Sequence, residues 1–214
     1  MITDEERKRY ARQIWTFGEE GQERLKSASV LVAGAGGLGT VISLYLAAAG
    51  IGHLRIIDCD VVEPSNLNRQ ILHWSGDIGR PKTASVADKL AALNPLIRIE
   101  AISERITEDS VDGIARGCDL IVDAMDNVPT RHLLNRAAVA QKIPFVHGAV
   151  RGFFGQATTM IPGKGPCLRC FFPESSPREV FPIVGAACGV IGSIEVAETI
   201  KLLTGKGEPL AGKL

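Results

Sequence analysis

The feature that most constrains this chain is a glycine turn set between an apolar run and an uncharged helical stretch. Val30-Leu31-Val32-Ala33 leads into Gly34-Ala35-Gly36-Gly37-Leu38-Gly39, and residues 40–49, rich in Ala and Leu, follow. A short apolar run ending in glycines reads as a buried strand, and the Ala/Leu stretch closed by Gly50 reads as a helix. Glycines at such a turn allow a tight reversal and let a phosphate approach the backbone N–H groups of the helix N-terminus. His53 to Ile57 reads as the next strand. Asp58 ends it, 19 residues after Gly39, where a carboxylate can hold ribose hydroxyls. Strand, turn, helix and acid together predict a nucleotide site built from Gly34, Gly36, Gly37, Gly39 and Asp58.

Residues 27–52 carry no charge and are long enough to cross a bilayer, but six glycines interrupt them. A strand, a turn and a helix account for the stretch better than a membrane span. The first residues, Met1-Ile2-Thr3-Asp4-Glu5-Glu6, are acidic and lack an apolar signal core, so a cytoplasmic protein without membrane partners is expected. Lys plus Arg and Asp plus Glu both number 24, which leaves no broad basic footprint for nucleic acid. With 214 residues and 45% hydrophobic composition, one domain spanning 1–214 can bury a sizeable core. Five cysteines, an odd number with one close pair, argue against a disulfide framework.

Thr3 and Glu6 have capping-box spacing, which predicts a helix from Asp4 through Arg12. Further along, Lys82–Leu93 reads as a helix stopped by Asn94-Pro95, and Arg98–Ile102 as a strand. Residues 110–115 read as a helix, 120–122 as a strand, 129–140 as a helix and 145–146 as part of a strand. This alternation predicts an α/β fold, a Rossmann-like doubly wound and mainly parallel sheet. After Gly148 the texture changes. A strand at 156–160, a Pro/Gly-rich turn and a final helix at about 189–203 form a C-terminal antiparallel extension.

Between Asp60 and Gly79 runs a long polar crossing, and loops of this length inside a domain are usually functional. Asn66 and Arg69 stand three apart, so on a helical turn they face the same way. Lys82 opens a helix directly after Pro81. Such donors suit a polyphosphate better than a nicotinamide ring. Two other readings stay open on these residues: a solvated charged loop, and an NAD-dependent oxidoreductase.

Several motifs occur in one order from Arg9 to about Leu203. They are Arg9-Tyr10-Ala11-Arg12-Gln13, the turn Gly34 to Gly39, Asp58-Cys59-Asp60, Asn66-Leu67-Asn68-Arg69-Gln70 and Gly79-Arg80-Pro81-Lys82. Asp123-Ala124-Met125-Asp126-Asn127, Cys167-Leu168-Arg169-Cys170 and Gly189-Val190-Ile191-Gly192-Ser193 complete the set. The pattern resembles the ubiquitin-activating-enzyme superfamily, in particular its ThiF/MoeB/HesA adenylyltransferases. The resemblance implies an enzyme that uses ATP and Mg²⁺ to adenylylate the C-terminal carboxylate of a ubiquitin-like sulfur-carrier protein ending in Gly-Gly. It implies that Asp58 holds the ribose, that Asn66, Arg69 and Lys82 hold the phosphates, and that Asp126 helps hold magnesium. It also implies a homodimer, with Arg12 reaching into the partner subunit's site. A non-catalytic scaffold that binds a ubiquitin-like protein is the other reading within this fold; it predicts loss of Arg69, Lys82 or Asp126, and all three are present.

The chain departs from the family in two places. Cys167 and Cys170 have metal-ligand spacing, but zinc prefers four ligands and no second pair is present, so a zinc site, an empty thiol pair and a labile disulfide all stay open. Some members carry a cysteine before the last helix that bonds covalently to the carrier. Here that position falls close to Arg178, in a loop without cysteine, and Cys188 reads as a packed thiol. Asp123 reads as a strand-end residue that caps the following turn. Which carrier is used, for thiamine, molybdopterin, cysteine or tRNA thiolation, is not written in these residues.

Overall fold

The structure is a computed structural model that describes residues 1–172 and 182–214; the loop around Arg178 lies outside the described residues. The strands are β1 (Ser29–Ala33), β2 (His53–Ile57), β3 (Arg98–Ile102), β4 (Leu120–Asp123), β5 (Phe145–Arg151) and β6 (Phe154–Met160). They form one sheet in the order β3-β2-β1-β4-β5-β6. All neighbours are parallel except β5 and β6, which pair antiparallel over seven residues. This is the doubly wound arrangement with an antiparallel extension that the sequence predicts. Its strand order reverses beside β1, which puts a crevice outside the carboxyl ends of β1 and β4.

Alternation along β1 explains how both sheet faces are covered. Val30 and Val32 point into a core shared with Ile42, Leu46, Leu54, Val86 and Ile191, while Leu31 and Ala33 join Ile57, Val111, Leu134 and Phe145 on the other face. The first core belongs to α3 (Gly37–Ala49), α4 (Lys82–Leu93) and α8 (Gly185–Thr204). The second belongs to α5 (Val111–Ala115) and α6 (Val128–Gln141), with α7 (Leu168–Phe171) beside it.

Two local expectations need correction. The N-terminal helix does not run unbroken through Arg12. α1 (Asp4–Arg9) stops at Tyr10, α2 (Ala11–Ser27) starts after it, and α2 is itself interrupted at Gly18, whose φ is +75°. Tyr10 is buried, and its hydroxyl accepts from Asn94 Nδ2 at 2.8 Å, so the core claims the residue that a straight helix would expose. β5, predicted around 145–146, runs on to Arg151 because it pairs with β6 along its whole length, and α8 begins at Gly185, ahead of the predicted start near Gly189. The polar crossing has local structure of its own. It contains short 3₁₀ turns at Pro64–Asn66 and Ser75–Asp77 and is closed by Val62 N–H donating to Arg80 O and Gly79 N–H donating to Val62 O, both at 2.9 Å. No helix among the described residues is long and apolar enough to cross a membrane.

Candidate active site

A cleft of about 510 Å³ opens at the carboxyl ends of the strands. At one end lies the glycine turn. α3 starts at Gly37, and its N-cap, Gly36, supplies no side-chain cap. The first N–H groups of the helix therefore lack an intrahelical acceptor and face the cleft with the positive end of the helix dipole. Gly34 adopts φ +107°, and a Cβ there would lie 2.6 Å from Ala124 O. Gly39 serves a different purpose: a Cβ at that position would fall 1.8 Å from Gly34 O, so its absence lets the helix close on the turn.

The turn is held on both sides of Ala35. Its N–H donates to Asp58 Oδ2 at 2.8 Å, and its carbonyl accepts from His73 Nε2 at 2.9 Å. His73 is buried, and burial lowers its pKa, which keeps Nδ1 free to accept from Ser85 Oγ at 2.9 Å. The second carboxylate oxygen of Asp58 accepts from Asp60 N–H at 2.8 Å. Lys82 is buried and its ammonium donates to Asp60 Oδ2 at 3.0 Å. Arg69 is tied to neutral acceptors, Ser65 O at 2.8 Å and Asn68 Oδ1 at 3.0 Å.

Asp126 sits on the turn after β4, exposed to the cleft. The preceding residue is fixed at both ends. Met125 N–H donates to Asp123 Oδ1 at 3.0 Å, the turn-capping bond predicted for Asp123, and Arg131 Nη2 donates to Met125 O at 2.5 Å.

The cleft brings together Gly34, Gly36, Gly37, Asp58, Arg69, Lys82 and Asp126. Five other predicted residues stand apart: Gly39 is buried behind the turn, where it lets the helix close, and four more lie elsewhere. Asn66 is buried, with Oδ1 accepting from Glu63 N–H at 3.0 Å, so it braces the loop instead of sharing a cleft face with Arg69. Arg12 lies on α2, away from this cleft, its guanidinium carbon 5.2 Å from the ring centroid of exposed Trp15. Cys167 and Cys170 line a separate cavity of about 210 Å³ with Asn135, Phe145 and Met160. Burial raises the pKa of Cys167, but bonds from the Arg169 and Cys170 backbone and from the Asn135 and Cys170 side chains outweigh it and leave the thiol below its ordinary value. Among the described residues no third Cys, His, Asp or Glu joins this pair in a metal-sized cluster, so it offers half of a tetrahedral zinc set.

Cys188 is buried, as predicted, but it also lines the cleft: a Cβ on Gly37 would meet its Sγ at 2.7 Å. Burial pushes its thiol up, which disfavours the thiolate. Sequence reasoning passed over Arg131, Arg151, Phe154 and Gln156, which line the far end of the cleft. Gly155-Gln156 inside an otherwise β-forming stretch was the available signal, since a strand glycine marks close backbone approach. A Cβ at Gly155 would lie 2.3 Å from Ile191 Cγ1.

Comparison with known proteins gives one answer. The model described as the ThiF family matches residues 10–214. A sulfur carrier protein adenylyltransferase from Thermus thermophilus is 46% identical, over 99% of this chain and 83% of its own length. A SAMP-activating enzyme E1 from Haloferax volcanii is 45% identical, over 96% of this chain and 79% of its own length. Among solved structures, E. coli MccB with ATP superposes with a TM-score of 0.84 at 25% identity, over 94% of this chain and 65% of that one. With a matched family model covering nearly the whole chain and relatives well above a third identical, the chain belongs to the ThiF family.

Proposed function

We propose that this chain, as one domain over 1–214, is an adenylyltransferase that activates the C-terminal glycine carboxylate of a ubiquitin-like sulfur carrier with ATP. The observation that carries the reading is a single cleft with two different ends. One end offers an uncapped helix N-terminus, Asp58, Lys82 and Arg69 to a nucleotide; the other is open, lined by β5 and β6, and suits a peptide tail. The names of the relatives point the same way and favour neither an oxidoreductase nor a silent scaffold.

A carrier carboxylate oxygen attacks the α-phosphorus of ATP, the bond from that phosphorus to the bridging oxygen breaks, and acyl-adenylate and pyrophosphate result. Two anions must meet, so positioning and charge stabilisation carry most of the rate. Asp58 holds the ribose hydroxyls, and the N–H groups of Gly37 and its neighbours face the phosphates. Lys82 exchanges Asp60 for phosphate oxygens, and Arg69 exchanges its neutral acceptors for the same charge. Asn66 acts on the phosphates through the loop it braces. Asp126 offers the oxygen ligand that Mg²⁺ prefers, and the ion, when bound, neutralises charge on the phosphate oxygens. Arg12 completes the partner's site in a homodimer. Cys167 and Cys170 supply two thiolates to zinc only if two ligands come from elsewhere, and no step runs through that metal. A cytoplasmic location fits an ATP-consuming reaction of this class.

The test is ATP–pyrophosphate exchange with purified ubiquitin-like carriers ending in Gly-Gly. Exchange that requires the carrier and vanishes when its last glycine is removed is the expected result. Exchange indifferent to the carrier, or none with any of them, overturns the reading.

A further inference from the structure

We propose that Gln156 presents its carboxamide oxygen to the cleft as the acceptor for a backbone N–H of the carrier's C-terminal tail, oriented by the buried pair Asp123 and His147. The proposal rests on the carrier being the substrate, as argued above.

Asp123 and His147 are both fully buried, and His147 Nδ1 lies 2.7 Å from Asp123 Oδ2. A carboxylate oxygen only accepts, so the proton between them sits on Nδ1. Arg131 Nε stands 3.4 Å from the same oxygen and offsets its charge. Nε2 is then an acceptor, and Gln156 Nε2 lies 3.3 Å from it in donor position. The ring cannot turn away: Phe145 stacks on it at 6.5 Å between centroids and Phe172 tilts against it at 5.9 Å. With its NH₂ committed to His147, the carboxamide is locked in one orientation, and its oxygen is the atom left for the cleft.

Register supports this. His147 pairs with Thr158 and Ala149 with Gln156, so ring and carboxamide share one face of the β5–β6 pair. Gln156 lines the cleft, and no donor to its Oε1 occurs among the described residues. The wall around it combines Ala149, Val150, Phe154 and Gly155, apolar or small, with the cations Arg131 and Arg151, a lining that an extended Gly-Gly segment ending in a carboxylate fits. A nucleotide base is the other donor a cleft of this kind meets. Asp58 follows β2 and Gln156 lies on β6, four strands along the sheet, which is roughly 19 Å. A base held by its own ribose does not reach that far.

The test uses a fluorescein-labelled ubiquitin-like carrier in three forms: native, and with one or other of its last two amide links replaced by an ester, which removes one N–H and little else. Binding is read by anisotropy at saturating ATP analogue. One of the two esters is expected to bind the wild type roughly fivefold more weakly, the scale of one net hydrogen bond. Gln156→Met is expected to bind the native tail weakly and to treat native and ester tails alike, with ATP affinity within about twofold of wild type. His147→Phe keeps Gln156 but frees its rotation, so part of the discrimination is lost. Gln156→Glu keeps an acceptor oxygen but not the N–H given to His147, so it is expected to keep part of the preference for the amide, which covers a Gln156→Met protein that does not fold. Equal binding of all three tails by the wild type overturns the proposal, as does undiminished discrimination by Gln156→Met or a loss of ATP affinity as large as the loss of tail affinity. Discrimination without any pyrophosphate exchange leaves Gln156 assigned and removes the adenylylation reading; failure of every tail to bind removes both.

Discussion

The two ends of the cleft are built from different materials. The end near β1 and β2 is made by backbone: a glycine turn, an uncapped helix start, and Ala35 gripped at its N–H by Asp58 and at its carbonyl by His73. The end at β5 and β6 is made by side chains. Asp123, His147, Arg131 and Gln156 form a chain on one sheet face, and Glu195 lies buried against Gly148 on the other. The difference teaches where tolerance lies. A turn built by backbone tolerates most side-chain changes around it and fails when a glycine such as Gly34 or Gly39 gains a Cβ. A side-chain network is only as good as its least satisfied member.

Asp126 stands where the two ends meet, and removing it should have the largest effect. Asp126→Ala is expected to lower pyrophosphate exchange by about 10²–10³-fold, the scale of losing one group that stabilises transition-state charge. The exposed position leaves the melting temperature unchanged. Wild-type exchange with normal Mg²⁺ dependence would sink the assignment.

Mixing experiments ask whether the nucleotide end is complete within one chain. Arg12→Ala and Asp126→Ala proteins should each be inactive. After subunit exchange, a mixed dimer holds one site lacking both residues and one lacking neither, so up to about a quarter of wild-type activity per site should return from random pairing. If exchange of subunits is demonstrated and no activity returns, Arg12 works within its own chain or has no part in the reaction.

A third measurement probes the far end. Glu195 is fully buried and neither carboxylate oxygen has a hydrogen-bond partner among the described residues. Burial first, and then the Asp123 charge, raise its pKa well above 4.5, with Arg131 opposing them. The folded protein thus keeps a proton that the unfolded chain releases above that ordinary value. Stability from this group is present at pH below 4.5 and is lost as pH rises toward the raised folded value, at up to about 1.4 kcal/mol per pH unit. Glu195→Gln should remove the slope and be the more stable protein at neutral and alkaline pH. Urea unfolding of both proteins at acid, neutral and alkaline pH measures it; parallel curves would mean that Glu195 finds a partner in solution.

The smallest change is expected at Cys188. Its raised thiol makes a poor nucleophile, so Cys188→Ala should still form the carrier adenylate, with exchange within about twofold and a stability loss of about 1 kcal/mol from the vacated volume. Complete loss of adenylation in the folded variant would show that the thiol takes part in the chemistry.

The comparison also explains what could be read in advance. The sheet and the glycine-turn end of the cleft were legible because glycines, strand-end acids and apolar alternation are spaced by backbone geometry. Gly34 to Gly39 and Asp58 carry that spacing in plain view. The far end was not legible, because His147 and Gln156 look like ordinary strand residues until pairing of β5 with β6 places them on one face. Asn66 misled for the complementary reason. Three-residue spacing from Arg69 suggested a shared face, but the 3₁₀ turn directs Asn66 into a bond with Glu63 N–H instead. Tyr10 broke the N-terminal helix through a tertiary bond to Asn94, which no local pattern announces.

The position of α8 has a consequence for how the chain is made. This helix covers α3 and the β4–β5–β6 side of the sheet, placing Ile191 and Val196 in the same core as Ile42 and Leu46. Residues 50–184 separate α3 from α8, and their synthesis takes on the order of ten seconds at ordinary elongation rates. Through that interval the face of α3 that meets α8 lacks its final cover, and so does the β4–β5–β6 side of the sheet once it is made. The apolar face of α3 therefore waits through most of synthesis for its partner helix, and contact with other apolar surfaces competes with folding during that wait.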